Sequence, residues 1–331
     1  MTIAPERLGG ADLDRTAQAA AAETAAERER QRQRRRRGRR SPQRRRAAIA
    51  ALLFLLPALV TFGYFAWWPI LQSTVLAFQQ TNLVDPAEWV GLRNFEVLFA
   101  DPLLPKAALN TLWFTVLSLA IGLPVPLLCA VLLSELRRGG TLARVLAYLP
   151  VVIPPVVAVL LWKVFYSPGE TGVVNSLLAL VGIGPLPWLQ SPELAMPSLV
   201  IVATWSGAGT AILIYLAALA GVSTELYEAA ELDGASVWQR VRYVTLPQLR
   251  GVILVLLLLQ IIGAIQVFTE PYVMTDGGPA NATVTILLMI YRYAFLFGDY
   301  GVATALSVLL AVVLIIVSAI YLRLTRSWSS R

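Results

Sequence analysis

Histidine is absent from the 331 residues, and Cys129 is the only cysteine. Without histidine the chain lacks the commonest general acid–base group and the imidazole ligands of zinc sites. One cysteine cannot form a disulfide within the chain, and its place in an apolar stretch is typical of a small buried side chain. The sequence therefore predicts neither catalytic residues nor a metal site.

Charged side chains are also scarce, at 14% of the residues, whereas 57% of the residues are hydrophobic. Soluble domains carry about 25% charged residues, so this balance indicates a membrane protein. The apolar residues concentrate in six blocks, each long enough for the ~20-residue helix that crosses a bilayer. The blocks cover residues 47–78, 108–133, 142–165, 195–218, 252–274 and 302–322. We therefore predict an all-α membrane protein with six transmembrane helices.

The N-terminal segment, residues 1–46, holds fourteen arginines and six acidic residues but few side chains that could build a core. Such a composition predicts a basic tail that is disordered or loosely helical. Arginine runs also occur in nucleic-acid-binding proteins, but this tail directly precedes the first apolar block. Basic residues in that position orient the helix and attract anionic lipid on the cytoplasmic side. We expect anionic lipid, and no nucleic acid, as the partner of the tail.

The other basic residues predict the topology. Nine of them fall in segments that six helices would place on the same side as the tail, and only four fall elsewhere. The positive-inside rule then puts both termini in the cytoplasm. We accordingly divide the chain into the tail, a first transmembrane helix (47–78), an extracytoplasmic segment (79–107), a membrane core (108–324) and a cytoplasmic C-terminus (325–331).

One predicted cytoplasmic loop, residues 219–251, contains helix signals of its own. Ser223 or Thr224 suits the N-cap of a helix, because a hydroxyl can accept a bond from a free backbone N–H. Asp233 and Gly234 predict the end of that helix, since glycine readily adopts the left-handed conformation found there.

A second helix in this loop is expected to start near Ser236 and to end before Leu246 and Pro247. The resulting helix–turn–helix offers small alanines, which let another surface approach closely, beside the carboxylate of Glu228. Such a segment either docks onto another protein or lies on the lipid surface as an amphipathic helix.

Eight residues of this loop resemble, in type and spacing, the EAA motif of the permease subunits of type I ABC importers. They are Glu228, Ala229, Ala230, Asp233, Gly234, Ala235, Leu246 and Pro247. In that family, whose fold is called MetI-like, the loop carries a coupling helix that inserts into a groove of the cytoplasmic ATPase. The resemblance therefore favours docking over lipid binding, and we call residues 219–251 the EAA loop.

Other segments resemble the carbohydrate branch of this family, in particular the subunits of maltose and glycerol-phosphate permeases. These segments are residues 91–95, 110–112, 271–279, and 291–303. The chain departs from the family pattern at Asp276, where glycine is usual, and at Val241 and Gly251, where phenylalanine and proline are frequent. The resemblance covers residues 47–324 and implies a sugar substrate.

The chain contains no G-x-x-x-x-G-K-[ST] phosphate-binding loop, so we expect it to bind no cofactor and to hydrolyse no ATP itself. The resemblance implies that a dimer of cytoplasmic ABC ATPases binds ATP and Mg²⁺ and drives alternating access. It further implies a second permease subunit, an extracytoplasmic solute-binding protein and a place in the bacterial plasma membrane.

Four residues in the fifth predicted helix form a polar stripe: Gln260, Gly263, Gln266 and Glu270. At 100° per residue they fall within an arc of ~120°. Polar side chains inside membrane helices usually face a cavity or a neighbouring helix. The stripe therefore predicts either part of a sugar pathway or a helix–helix contact. Further pathway candidates on the fourth predicted helix are Thr204, Trp205, Ser206 and Thr210.

Two other functions remain to be weighed. An ion-coupled secondary transporter would need no ATPase, and such folds often contain more helices, some of them broken at the midplane. The EAA motif speaks against it. A membrane-embedded enzyme would need a nucleophile–base pair or a metal cluster, which this composition does not supply. Neighbouring genes for a binding protein and a second permease would favour the importer.

Overall fold

The computed structural model describes residues 42–136 and 140–329. Residues 1–41 of the predicted tail lie outside the described residues, as do Arg137, Arg138 and Arg331. From residue 42 onwards the tail is helical, so the first helix begins five residues earlier than predicted. The chain divides into two compact units, Met1–Ile70 and Leu71–Arg331.

The described residues are mainly α-helical, as the sequence predicts. The helices are α1 Pro42–Phe62, α2 Trp68–Leu76, α3 Arg93–Ala100, α4 Leu103–Gly122, α5 Pro124–Glu135, α6 Gly140–Val152, α7 Pro155–Phe165, α8 Val173–Ala179, α9 Pro192–Ala220, α10 Thr224–Leu232, α11 Val237–Arg240, α12 Leu246–Ile265, α13 Ile286–Tyr291 and α14 Tyr300–Ser329. Turns of π-helix occupy Gly63–Trp67, Val241–Thr245, Pro271–Thr275 and Arg292–Leu296. Two short antiparallel strands, β1 Gln79–Gln80 and β2 Glu88–Trp89, pair with Gln79 opposite Trp89.

Five helical segments of the described chain are long and apolar enough to cross a membrane. They are Ile49–Leu76, Leu103–Glu135, Pro192–Ala220, Val237–Ile265 and Tyr300–Arg326. The remaining predicted span, 142–165, is not one straight helix, because α6 and α7 meet at an angle of 101°. The bend follows from Pro154 and Pro155: a residue that precedes proline is pushed out of the helical region, and Pro154 has ψ of 135°. Six spans result if this bent pair counts as one.

The fifth span also differs from the prediction at both ends. It begins at Val237 rather than 252, and it continues through Leu246 and Pro247, where the sequence predicted a stop. The π turn Val241–Thr245 explains the continuation, because it restarts the α-helix just before Pro247, and proline is tolerated in the first turn. The helix then ends at Ile265 instead of reaching residue 274.

Helix α9 lies at the centre of the second unit, where it packs against α4, α5, α6 and α12. Its buried side chains include Leu199, Val200 and Val202, all fully enclosed. Gly209 allows the close crossing with α6, because a Cβ at this position would lie 2.8 Å from the carbonyl oxygen of Ala147. Any larger residue at 209 would force the two helices apart.

The segment between the first two spans is held by a buried amide. Asn94 is 4% exposed and donates hydrogen bonds of 2.9 Å to the carbonyl oxygens of Ala77 and Gln79. Nearby, Tyr293 donates a hydrogen bond to Asp101. Burial and this carboxylate hold the pKa of Tyr293 well above its usual range, so the phenol stays protonated.

The segment that follows α12, residues 271–285, is held by long-range hydrogen bonds, and we call it the GGP loop after Gly277, Gly278 and Pro279. Lys106 donates to the carbonyl of Ala280 at 2.6 Å, and Asn110 donates to the carbonyls of Asn281 and Val284 at 2.9 Å. Asn110, in a segment that resembles the carbohydrate branch, therefore holds the part of the GGP loop that directly follows the resembling segment 271–279.

The departure at Asp276 has a conformational explanation. This residue has φ of +48°, in the left-handed region that favours glycine but that aspartate also tolerates. The carbonyl of Asp276 accepts a hydrogen bond of 2.6 Å from Arg292, and its carboxylate lies 3.6 Å from the same guanidinium. The substitution is thus compatible with the usual path of the loop.

Candidate functional site

The EAA loop forms the predicted helix–turn–helix with both N-caps in place. The hydroxyl of Ser223 accepts a hydrogen bond of 3.3 Å from the N–H of Glu225 at the start of α10. That helix ends at Gly234, which has φ of +75°. Ser236 and Gln239 then form a reciprocal capping box at the start of α11. The shape of the loop therefore follows from local sequence.

The motif residues lie on an accessible face of the EAA loop. Glu228, Ala229, Asp233, Gly234 and Pro247 are exposed, whereas Ala230, Ala235 and Leu246 are half-buried. Large apolar side chains protrude beside them: Leu232 is 90% exposed and Trp238 is 65% exposed. Apolar side chains exposed next to charged ones are typical of surfaces that bind another protein or a membrane.

Tyr227 connects the EAA loop to the helix behind it, a contact that the sequence analysis missed. Its hydroxyl lies 3.1 Å from Oγ1 of Thr245, which is 3% exposed and ends the π turn before α12. Arg240 and Glu231 form a second link, an ion pair at 3.6 Å. No sequence pattern pairs a tyrosine with a threonine eighteen positions away, so only the fold reveals the first link.

A cavity of about 480 Å³ lies between α4, α9 and α12 in the second unit. All four residues of the predicted polar stripe line it, namely Gln260, Gly263, Gln266 and Glu270. Thr204 and Thr210 of α9 line the opposite wall. The structure thus brings most of the predicted pathway residues together around one space.

Two details of the pathway prediction are wrong. Glu270 is not on the same helix as Gln260, because α12 ends at Ile265 and the chain is non-helical at Val267 and Phe268. The break nevertheless returns Glu270 to the cavity wall.

Trp205 does not line this cavity. It is half-buried and packs edge-to-face on Trp162 of α7, with ring centres 5.6 Å apart. Its neighbour Ser206 is not part of the wall either. Trp205 instead faces the contact between α9 and α7, because successive helix positions point in different directions.

Gln260 serves the cavity and a helix contact together. Its side-chain amide donates to the carbonyl of Ser118 at 3.4 Å, and a Cβ at Gly122 would lie 2.7 Å from its Nε2. Gln260 therefore makes the helix–helix contact that was the alternative to a pathway role. Its side chain also lines the cavity. Gly122 matters here because only glycine leaves room for the amide.

Tyr215 of α9 is a wall residue that the sequence analysis missed. It is 1% exposed, and its hydroxyl has no hydrogen-bond partner among the described residues. A buried hydroxyl without a partner is costly, so one that borders a cavity suits a ligand or water bound there. The signal available in sequence was a single tyrosine in the C-terminal part of this span.

Charge is distributed simply around this cavity. Among the described residues that form its wall, Glu270 is the only one with a formal charge, and none is basic. The wall otherwise offers amides, hydroxyls and apolar side chains. Such a lining suits a neutral molecule with many hydroxyl groups better than an anion.

Comparisons with known proteins agree with this architecture. A family model described as "Binding-protein-dependent transport system inner membrane component" matches residues 122–330. The "Probable ABC transporter permease protein YurN" of Bacillus subtilis (strain 168) is 35% identical over 83% of this chain and 94% of its own length. The "Arabinooligosaccharides transport system permease protein AraP" of the same organism is 32% identical over 84% and 89%.

A solved structure also aligns with most of the chain. It is described as "Crystal structure of a bacterial ABC transporter involved in the import of the acidic polysaccharide alginate". The alignment has a TM-score of 0.75 and 30% sequence identity, and it covers 85% of this chain and 96% of that one.

Proposed function

This chain belongs to the family of binding-protein-dependent transport system inner membrane components, and from this premise we propose that it is the permease subunit of an ATP-driven sugar importer. The observation that carries the proposal is a single helical segment, Val237–Ile265, which starts in the EAA loop and ends at the polar wall of the cavity. One continuous helical segment therefore connects the EAA loop to the cavity.

The exposed face of the EAA loop is proposed to bind a dimer of cytoplasmic ATPases, which holds ATP and Mg²⁺. Glu228 would supply a charged contact, and the small side chains of Ala229 and Ala230 would allow close approach. Movement of α10 would then reach α12 through Tyr227 and Thr245, since their hydroxyls lie 3.1 Å apart. A π turn at this junction is a common feature of functional sites in helices.

The cavity is proposed to take a neutral sugar. Gln266 and Glu270 line the cavity and can exchange hydrogen bonds with sugar hydroxyls. Names of relatives support this class, since AraP is named for arabinooligosaccharides. The single carboxylate on the wall argues against uronic acids, which would carry the same sign of charge.

The remaining assignments are proposals that rest on family membership and charge. We place both termini and the EAA loop in the cytoplasm, and the GGP loop and residues 79–107 on the opposite side. A solute-binding protein would deliver the sugar there, a second permease subunit would complete the pathway, and the basic tail would contact anionic lipid.

Uptake by the reconstituted complex tests the proposal. Proteoliposomes that contain the permease pair, the ATPases and the binding protein should accumulate labelled sugar when ATP is enclosed, also after ionophores have collapsed every ion gradient. Glu228→Ala should abolish most of this uptake, whereas Glu225→Ala, at an exposed position three residues earlier, should retain it.

An ion-coupled secondary transporter is the second candidate, favoured by the bent pair α6–α7, because broken helices are typical of such proteins. If the chain without any ATPase moved sugar under an ion gradient, and ATP had no effect, the secondary transporter would replace the importer. Gln266→Leu tests the pathway in either case, since loss of its amide should raise the KM for sugar while the amount of folded protein stays constant.

A further inference from the structure

Four aromatic rings form a continuous cluster at one end of the cavity. Phe268 stacks on Tyr272 with ring centres 5.1 Å apart and planes 14° apart, and Tyr291 lies 5.3 Å from Phe268 and 4.8 Å from Tyr272. Phe295 continues the row at 5.1 Å from Tyr291. Because Phe268 also belongs to the cavity wall, the row begins inside the cavity and leads out of it.

These rings are not core residues. Tyr272 is 37% exposed and Phe295 is 67% exposed, while Phe268 and Tyr291 are half-buried. Part of the ring surface therefore remains accessible along the row, although Phe268 and Tyr272 cover one face of each other. The two tyrosine hydroxyls lie 3.0 Å apart and share a hydrogen bond, which raises the pKa of Tyr291 and fixes the orientation of both rings. The row is thus rigid enough to present a defined surface.

We propose that Phe268, Tyr272, Tyr291 and Phe295 form an aromatic track that holds an oligosaccharide by stacking as it enters the cavity. This rests on the proposed function and narrows its substrate to neutral chains of at least two sugar units. The apolar C–H face of a pyranose packs on an aromatic ring, and the row offers four such rings in succession. Glu270 lines the same cavity as Phe268 and offers its carboxyl group to the sugar hydroxyls there.

The alternatives to an oligosaccharide as the partner of these rings are lipid headgroups and the second permease subunit. Aromatic belts at membrane interfaces also expose tyrosine and phenylalanine. A belt, however, needs no ring-to-ring contact and no connection to a cavity. The stacking between neighbours and the shared residue Phe268 therefore favour the oligosaccharide.

The test measures ATP-driven uptake of neutral glucose, galactose and arabinose oligosaccharides by the complete complex in proteoliposomes, comparing disaccharides with tetrasaccharides. For Tyr291→Leu and Phe268→Leu we expect the KM for tetrasaccharides to rise by about threefold to tenfold, the value of one or two lost aromatic contacts. Disaccharide uptake should change less. Tyr291→Phe, which keeps the ring, should restore most of the tetrasaccharide uptake.

Phe297→Leu is the matched control, because Phe297 is 67% exposed, packs on Tyr293 and lies outside the row. Equal loss in Phe297→Leu and Tyr291→Leu would overturn the track in favour of a membrane belt. Failure of Tyr291→Leu to assemble with the second permease subunit would overturn it in favour of a subunit contact.

Different experimental results would contradict the aromatic track and the proposed function. Wild-type uptake of oligosaccharides with unchanged KM values in the track variants would overturn the track alone. ATP-driven uptake restricted to monosaccharides would also overturn it. Absence of ATP-driven uptake for every sugar in the wild type would contradict the proposed function together with the track.

Discussion

The EAA loop and the GGP loop lie at the two ends of the same helical segment, and their environments are opposite. In the GGP loop, backbone carbonyls accept hydrogen bonds from Lys106, Asn110, Lys163 and Arg292, which come from other elements. In the EAA loop most bonds are local caps, and five of the eight motif residues are exposed.

This difference separates two causes of a recognisable sequence motif. A loop whose backbone carbonyls accept hydrogen bonds from donors elsewhere in the chain needs those donors to keep its conformation. A loop whose motif residues are exposed gains little stability from them, so their chemistry must serve an external contact. Substitutions should therefore affect stability at the GGP loop and assembly at the EAA loop.

The largest effect should come from Glu228→Ala combined with Gly234→Asp in the EAA loop. A Cβ at position 234 would meet no atom within 4 Å, so the fold should survive even though the residue is held at positive φ. We expect the ATPase no longer to co-purify with the permease, while the melting temperature of the permease falls only slightly. If the ATPase still co-purified, the exposed motif would not be needed for docking, and the proposed difference between the two loops would be contradicted.

Asn110→Ala should lower the stability of the permease without affecting ATPase binding. It removes two hydrogen bonds of 2.9 Å and leaves the carbonyls of Asn281 and Val284 without that donor. The expected cost is about 1–3 kcal/mol, seen as a lower melting temperature in detergent. The amount of ATPase bound per folded permease should not change. Asn82→Ala is the control, because Asn82 bonds only within its own exposed turn.

Tyr227→Phe should have a smaller effect than the two preceding changes, and it tests how movement passes from α10 to α12. It deletes the contact with Thr245 and should cost about 1 kcal/mol, without removing the ring from its place. We expect normal ATPase binding but less sugar transported per ATP hydrolysed, measured in the same proteoliposomes. An unchanged ratio would mean that the helices transmit movement by packing alone.

Arg240→Gln should have the smallest effect. The ion pair with Glu231 spans 3.6 Å, and the carboxylate is 72% exposed, so water and salt screen most of the attraction. Exposed pairs of this kind contribute roughly 0–1 kcal/mol. The melting temperature and the ATPase binding of the variant should match those of the wild type within error; a large drop in either would show that Arg240 has another partner.

The sequence predicted features that depend on neighbours along the chain. Apolar blocks located the spans. Ser223, one of the two predicted caps, begins α10, and Asp233 and Gly234 follow its last residue as predicted, because caps and left-handed turns are local properties. The polar stripe was found for the same reason, since helical periodicity relates Gln260 to Gly263 and Gln266.

Features that depend on distant residues were missed. The π turn before Pro247 and the end of α12 at Ile265 depend on how the segment packs, and no local pattern distinguishes them from a regular helix. The unpaired hydroxyl of Tyr215 and the bond between Tyr227 and Thr245 likewise require the fold.

Cross-linking tests the central claim, that the EAA loop docks onto an ATPase, most directly. Cys129 is the only cysteine, so Cys129→Ser provides a cysteine-free chain into which Ala229→Cys is introduced. Ala280→Cys, at an exposed alanine of the GGP loop, is the control. A bifunctional thiol reagent in native membranes should join position 229, and not position 280, to the ATPase subunit. Cross-linking from position 280, or from neither position while ATP-driven uptake persists, would contradict the account.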